Sequence, residues 1–291
     1  MNHMISLKRP LLEPLIKSEV DGIIVPLEGL SMRQSDYVPI SALKNTIERI
    51  KASGKIAWVN INAIFHQNEL PAIKSAMEII RSSDVDGILF ADLAVYEYAA
   101  RLGLTDKLVY YPETYVTSDE DVRFWSEEGI KSVVAAREMT LEDIQTMAAT
   151  NALPLSIVGH GYINMFHSKR KLLKTFFKYS KVAPSAPVNN SRFNLVESMH
   201  DDVYPVQQDA FGTHIFRASP LKSFDVYEEL RTIVDTLIID TQFYANETIM
   251  GIVEDYARKR AGETVQRAYS DHDTGFYFKK TVYTQSKEGL Q

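Results

Sequence analysis

The sequence predicts an α/β fold, a TIM-like (β/α)8 barrel with a long insertion between strands 7 and 8. Three observations predict it. Short β-branched runs alternate with segments of helical periodicity through the first two-thirds of the chain, the order that builds a parallel sheet covered on both faces. The runs number eight when residues 4–8 open the series and residues 236–240 close it. The chain's 291 residues also lie a little above the ~250 typical of a single barrel of this kind.

After the opening run, residues 20–26 form the first clear strand. Ser41 is expected to cap a helix whose Leu43, Ile47 and Ile50 share a face and which Gly54 stops. Strand 56–61 precedes a helix with Ile73, Met77 and Ile80 in register, and runs 85–90 and 108–111 repeat the pattern. A helix opens at residues 117–119 and ends before Gly129. Strand 132–136 leads to Thr140-Leu141-Glu142-Asp143, which resembles a capping box with Asp in the usual place of Glu. Strand 155–158 comes next.

From Leu155 to Thr236 is 81 residues, too long for a simple crossover. That stretch holds a basic helix, a Pro/Asn/Ser-rich segment at 183–194, and a hairpin of 203–208 with 213–217 around a turn at 209–212. It reads as a decoration at the barrel mouth. The expected organisation is a barrel over 1–262, including an insertion at 161–235, then a β-rich tail over 263–291 with strand-like 276–278 and 281–283.

Composition narrows the function classes. Net charge is −6, so any nucleic-acid site is a local basic patch set against an acidic whole. There is no cysteine, which excludes disulfides, thiolate metal sites, a cysteine nucleophile and cysteine-held iron–sulfur clusters. No apolar run approaches the ~20 residues of a membrane span, and the N-terminus lacks a signal-peptide core, so a cytoplasmic protein is expected.

In such barrels chemistry collects where strands end. Those positions hold Arg33, Asn60, Asn62, Asp92, Glu113, Arg137, Glu138, His160 and Asp240. Asn60 and Asn62 are two apart, so both point to one side of their strand, as an inward polar layer requires. Arg137-Glu138 serves equally as a catalytic pair or as an ion pair closing the rim. His160, between Gly159 and Gly161, suits a general base, a metal ligand or a hydrogen-bond donor, or else a buried histidine satisfied by a neighbour. Catalytic candidates are His160, Glu138 and Asp240. Arg137, Arg170, Asn62 and Glu113 are the ligand-binding candidates, the arginines being suited to a carboxylate-bearing small molecule. No metal site is predicted.

Residues 169–181 contain six cations and no acid. In a helix, Lys171, Lys174, Lys178 and Lys181 fall on one face, with Leu172, Phe176 and Tyr179 on another. The stripe suits either a solvated surface or contact with a phosphate backbone or a partner.

The stretch Val158-Gly159-His160-Gly161-Tyr162-Ile163-Asn164-Met165-Phe166-His167-Ser168-Lys169-Arg170-Lys171-Leu172-Leu173 resembles the signature of the collagenase-like peptidase family U-32, in which His-Gly, then Cys, then Ser-Gly-Arg-Cys precede a leucine pair. The resemblance continues at residues 20–24, 60–66, 137–138, 212–215 and 274–277, and it implies Ser168 as a further ligand-binding candidate. Asn164 and Lys171 stand where the signature has cysteine, and Ile238-Ile239-Asp240-Thr241-Gln242 keeps only the acid of a Lys-Ile-Glu-Gly-Arg motif. The compact length is similar to that of the short, paired members of this family.

That resemblance implies a role in prephenate-dependent hydroxylation of the tRNA wobble uridine to 5-hydroxyuridine. On that footing the partners are tRNA and an iron–sulfur-bearing paralogue, no cofactor is held through cysteine, and a prephenate-like carboxylate occupies the mouth. The family name implies an alternative, a collagenase-like peptidase. The missing cysteines suggest a third reading, a non-catalytic scaffold or binding subunit.

Overall fold

In the computed structural model, which describes residues 1–196 and 202–279, the chain closes a ring of eight parallel strands. They are β1 (Asn2–Ser6), β2 (Gly22–Pro26), β3 (Ile56–Ile61), β4 (Gly87–Phe90), β5 (Leu108–Tyr110), β6 (Ser132–Val134), β7 (Leu155–Gly161) and, after the insertion, the last barrel strand Thr236–Ile239. That last strand pairs with both β7 and β1, and β6 pairs with β7, so no edge is left open. Each strand sends at least one apolar side chain inward: Met4, Ile24, Trp58, Leu89, Val109, Val134, Val158 and Ile238 form a buried cluster with Tyr111. The opposite strand faces pack beneath the helices in a larger apolar layer.

The helices are α1 (Leu12–Ile16), α2 (Leu43–Ala52), α3 (Leu70–Arg81), α4 (Leu93–Arg101), α5 (Asp119–Glu127) and α6 (Leu141–Ala148), then α7 (Leu172–Ser180) in the insertion, α8 (Tyr227–Ile233) and α9 (Asn246–Arg260). The expected stripes are buried: Leu43, Ile47 and Ile50 on α2, and Ile73, Met77 and Ile80 on α3. Ser41 does not cap α2. A 3-10 turn over Ile40–Ala42 leads in, Ala42 takes the cap position, and no side chain bonds there. A full capping box appears instead at α5, between Ser118 and Asp121.

The insertion forms its own antiparallel sheet of β8 (Asn164–Ser168), β9 (Arg192–Val196), β10 (Val203–Asp209) and β11 (Gly212–Phe216), ordered β8-β11-β10-β9. β9 begins inside the segment expected to be a loop. A short strand, β12 (Leu221–Lys222), then runs antiparallel to β7; in chain order the last barrel strand, Thr236–Ile239, is β13. Residues 276–278, expected as strand, are a turn that buries Tyr277; 281–283 lie outside the described residues. Among the described residues no helix is long and apolar enough to cross a membrane.

Candidate functional site at the barrel mouth

Above the apolar plug the inward positions turn polar. Asn60 on β3 and Asn62 just past its end continue the inward file of Trp58, and both are buried. Past β5, Tyr111 and Glu113 continue the file of Val109; past β13, Asp240 follows Ile238 by the same two-residue step. The inward polar layer expected from Asn60 and Asn62 is therefore present, and several strands build it.

Glu113 and Arg33 form its centre. The Arg33 Nη2 to Glu113 Oε1 distance is 2.7 Å, and both side chains are 6% exposed. The Asn62 amide donates to the same oxygen at 3.4 Å. Glu113 and Arg33 both adopt left-handed backbone, φ 70° and 58°, a conformation that costs non-glycine residues about 1 kcal/mol or more and that clusters at functional sites.

A second guanidinium stands alongside. Arg137 meets Asp240 at 3.0 Å, donates to the Tyr162 carbonyl at 2.7 Å and to the Tyr111 hydroxyl, and lies 4.0 Å from Glu113. Burial alone would raise Glu113, but Arg33 and Arg137 outweigh it and hold the carboxyl below the ordinary glutamate value. At Asp240 burial wins over Arg137, and that carboxyl is raised. Two buried carboxylates thus share one arginine with their acidities pushed apart.

The insertion covers this group. The β10–β11 turn brings Asp209 over Arg33, whose backbone N–H donates to Asp209 Oδ2 at 2.9 Å. Gln207 accepts from Gln242 at 2.8 Å, and Arg192 donates to the Tyr162 hydroxyl at 3.2 Å. Asp209 Oδ1 accepts from the N–H groups of Phe211 and Gly212 and stands 3.0 Å from His214 Nε2. His214 Nδ1 in turn faces His167 Nδ1 at 3.1 Å.

The structure gathers Arg137, Glu113, Asn62 and Asp240, and leaves other expected residues elsewhere. His160 is not among them. β7 pairs with β13 through a register shift at Gly159, where Ile238 opposes Val158 and Ile239 opposes His160. That one-residue bulge turns His160 outward. Its imidazole sits among Phe224, Tyr244, Tyr256, Tyr269 and His272 at centroid distances of 5.0–5.8 Å. Burial, helped by His272 and Lys222, keeps it neutral, well below the usual histidine value.

Glu138 is exposed and makes none of the mouth contacts, so Glu113 takes the position expected of it beside Arg137. Arg170 is exposed, and its backbone N–H donates to the Ser168 hydroxyl at 3.3 Å. Asp92 caps α4. Lys171 leaves the lysine stripe: its ammonium donates to the Asp209 carbonyl at 2.5 Å and to that of Ala210. Lys174, Lys178 and Lys181 remain exposed.

Sequence reading gave no role to Tyr111, Asp209, His214 or His167. Asp209 had one visible signal, an Asx-type turn residue preceding Phe211-Gly212. The two histidines lie on neighbouring strands of the insertion and face each other only through its register.

Residues 10–283 match the model of Peptidase family U32. The chain belongs to that family. Among curated relatives, tRNA hydroxylation protein P2 of Bacillus subtilis is 27% identical, with 93% of this chain and 94% of that protein covered. An uncharacterized protease of Methanocaldococcus jannaschii is 22% identical over 92% of this chain and 70% of its own length. tRNA hydroxylation protein P1 of Bacillus subtilis is 23% identical over 53% of this chain and 36% of its own.

Proposed function

We propose that this U32 member acts in the cytoplasm in prephenate-dependent hydroxylation of the tRNA wobble uridine, as the cluster-free subunit of a pair. The observation that carries the proposal is end-to-end similarity to a tRNA hydroxylation protein, 93% of one chain against 94% of the other. The absence of cysteine supports the division of labour, because an iron–sulfur cluster has no thiolate to hold it here. Any cluster belongs to a partner, and no step runs through one on this chain.

The ligand role falls to the mouth. A carboxylate entering there would meet Arg137, whose present partner Asp240 has a raised pKa and is therefore the easier carboxylate to neutralise and displace. Arg33 and Glu113 would orient the ligand's far end. The tRNA would lie along α7, where Lys174, Lys178 and Lys181 present positive charge from a stretch without acids.

Nucleoside mass spectrometry of tRNA from a deletion strain tests the reading. Loss of 5-hydroxyuridine-type modification at the wobble position is expected, and an unchanged modification level would overturn it. Co-purification of a cluster-bearing paralogue tests the pairing: a chain that isolates alone while sustaining hydroxylation would refute it.

A further inference from the structure

Among the described residues, the mouth is shut by the insertion, with Arg33, Glu113, Arg137 and Asp240 6–9% exposed on their side chains. Any proton that enters or leaves it needs a route through the cover. A file of three side chains crosses that cover. His167 on β8 is half-buried, His214 on β11 is fully buried, and Asp209 at the hairpin tip is fully buried beside Arg33. The two imidazoles stack at an interplanar angle of 12°, Nδ1 to Nδ1.

Hydrogen-bond arithmetic fixes the direction. Asp209 is ionised: burial would raise it, but contact with His214 and the N–H groups of Arg33 and Phe211 holds it below the ordinary aspartate value. It only accepts, and His214 Nε2 lies 3.0 Å from its Oδ1 without the alignment of a hydrogen bond and with no other partner among the described residues, so the Nε2 hydrogen is the one this carboxylate can draw after a small rotation of the ring. Burial and the neighbouring ring bring His167 down to about 4, and burial also lowers His214. Both rings are therefore neutral at pH 7, each with one N–H. His214, having its hydrogen on Nε2, must accept at Nδ1. His167 must then donate from Nδ1, the less common tautomer, which leaves its Nε2 bare.

We propose that His167, His214 and Asp209 form a proton relay between solvent and the closed mouth, its resting tautomers set for inward passage. It rests on reading the mouth as the reacting site. In one passage His167 Nε2 takes a proton from water and His167 Nδ1 gives one to His214 Nδ1. His214 Nε2 then gives one to Asp209 Oδ1, from which it passes to a bound ligand; the passage leaves hydrogen on His167 Nε2 and His214 Nδ1, and a proton returning from the ligand to water by the same steps reversed restores the starting tautomers. The charged and titratable groups facing the rings are Arg33, Glu113, Asp209 and each other. Among the described residues no group of three or more His, Asp or Glu is placed to hold a metal.

Nitrogen-15 NMR of the full chain labelled at histidine reads the arrangement without any tRNA. At pH 7 His167 is expected in the Nδ1–H form and His214 in the Nε2–H form. A His167 in the Nε2–H form that titrates near the ordinary value of about 6.5 would overturn the relay. His167→Gln supplies the functional arm, because its amide still donates to His214 but passes no proton. In a complemented deletion strain it is expected to lower wobble hydroxylation on the order of tenfold or more. Full modification by that variant refutes the relay and leaves the tRNA reading standing. An unchanged modification level in the deletion strain itself refutes the tRNA reading and leaves the NMR result intact.

Discussion

Arg137 is the residue on which the mouth converges, touching Asp240, Tyr111 and Tyr162 and lying 4.0 Å from Glu113. Removing one partner of a buried ion group leaves the others uncompensated and costs about 3–5 kcal/mol. Arg137→Met should therefore lower the urea midpoint sharply, and a midpoint within error of wild type would contradict the contacts. The two carboxylates should respond oppositely to acid. Glu113 lies below its ordinary 4.5, so its contribution is present above 4.5 and is lost as pH falls through the folded value. Asp240 lies above its ordinary 3.8, so its contribution is present below 3.8 and is lost as pH rises through the folded value. Glu113→Gln is expected to be the more damaging change at pH 7 and to converge on wild type in acid, whereas Asp240→Asn should be the milder change at pH 7. Urea titrations at several pH values would expose the reverse order if it held.

At the scale of elements, β7 and α7 decide what the sequence signature means. The Gly159 bulge hides His160 behind the barrel wall, and glycine is required there for space. A Cβ at Gly159 would lie 2.5 Å from Leu237 Cγ and 2.8 Å from Ser223 Oγ. Gly159→Ala is expected to cost about 1–3 kcal/mol through overpacking, read by thermal unfolding. α7 is the opposite kind of element, with no buried residue and with Phe176 and Tyr179 57% and 90% exposed beside its lysines. On the proposed tRNA role, reversing Lys174, Lys178 and Lys181 to Glu should weaken tRNA binding and lower the salt slope by about one for each phosphate no longer neutralised. Lys171→Ala should instead act on stability, since that ammonium ties down the Asp209–Ala210 backbone; equal effects on RNA affinity from all four lysines would contradict this division.

For the whole molecule, the ring was legible because each parallel strand is buried on both faces and reads as a short apolar run, as in Ile56–Ile61. Asn62, Glu113, Arg137 and Asp240 were legible because a strand that leaves a core must end in polar groups. The placement of His160 behind the wall was not legible because one extra residue in a strand leaves no mark in composition, and Asp209 and His214 were hidden because no local pattern tells where an insertion folds back. That fold-back predicts a gradient of stability. α7 has no buried residue and β9 is largely exposed, whereas β10 from Pro205 to Asp209 and most of β11 are buried against the mouth. Opening free energy follows burial, so amide exchange should be fast in α7 and β9 and slow from Val206 to Phe216, approaching the barrel strands. Asp209→Asn removes the charge that meets Arg33 and His214, so it should speed exchange at Phe211 and Gly212 while leaving β1 to β4 unchanged. If β10 and β11 instead exchange as fast as α7 in the wild-type chain, the insertion does not seal the barrel, and the mouth is open to solvent without any relay.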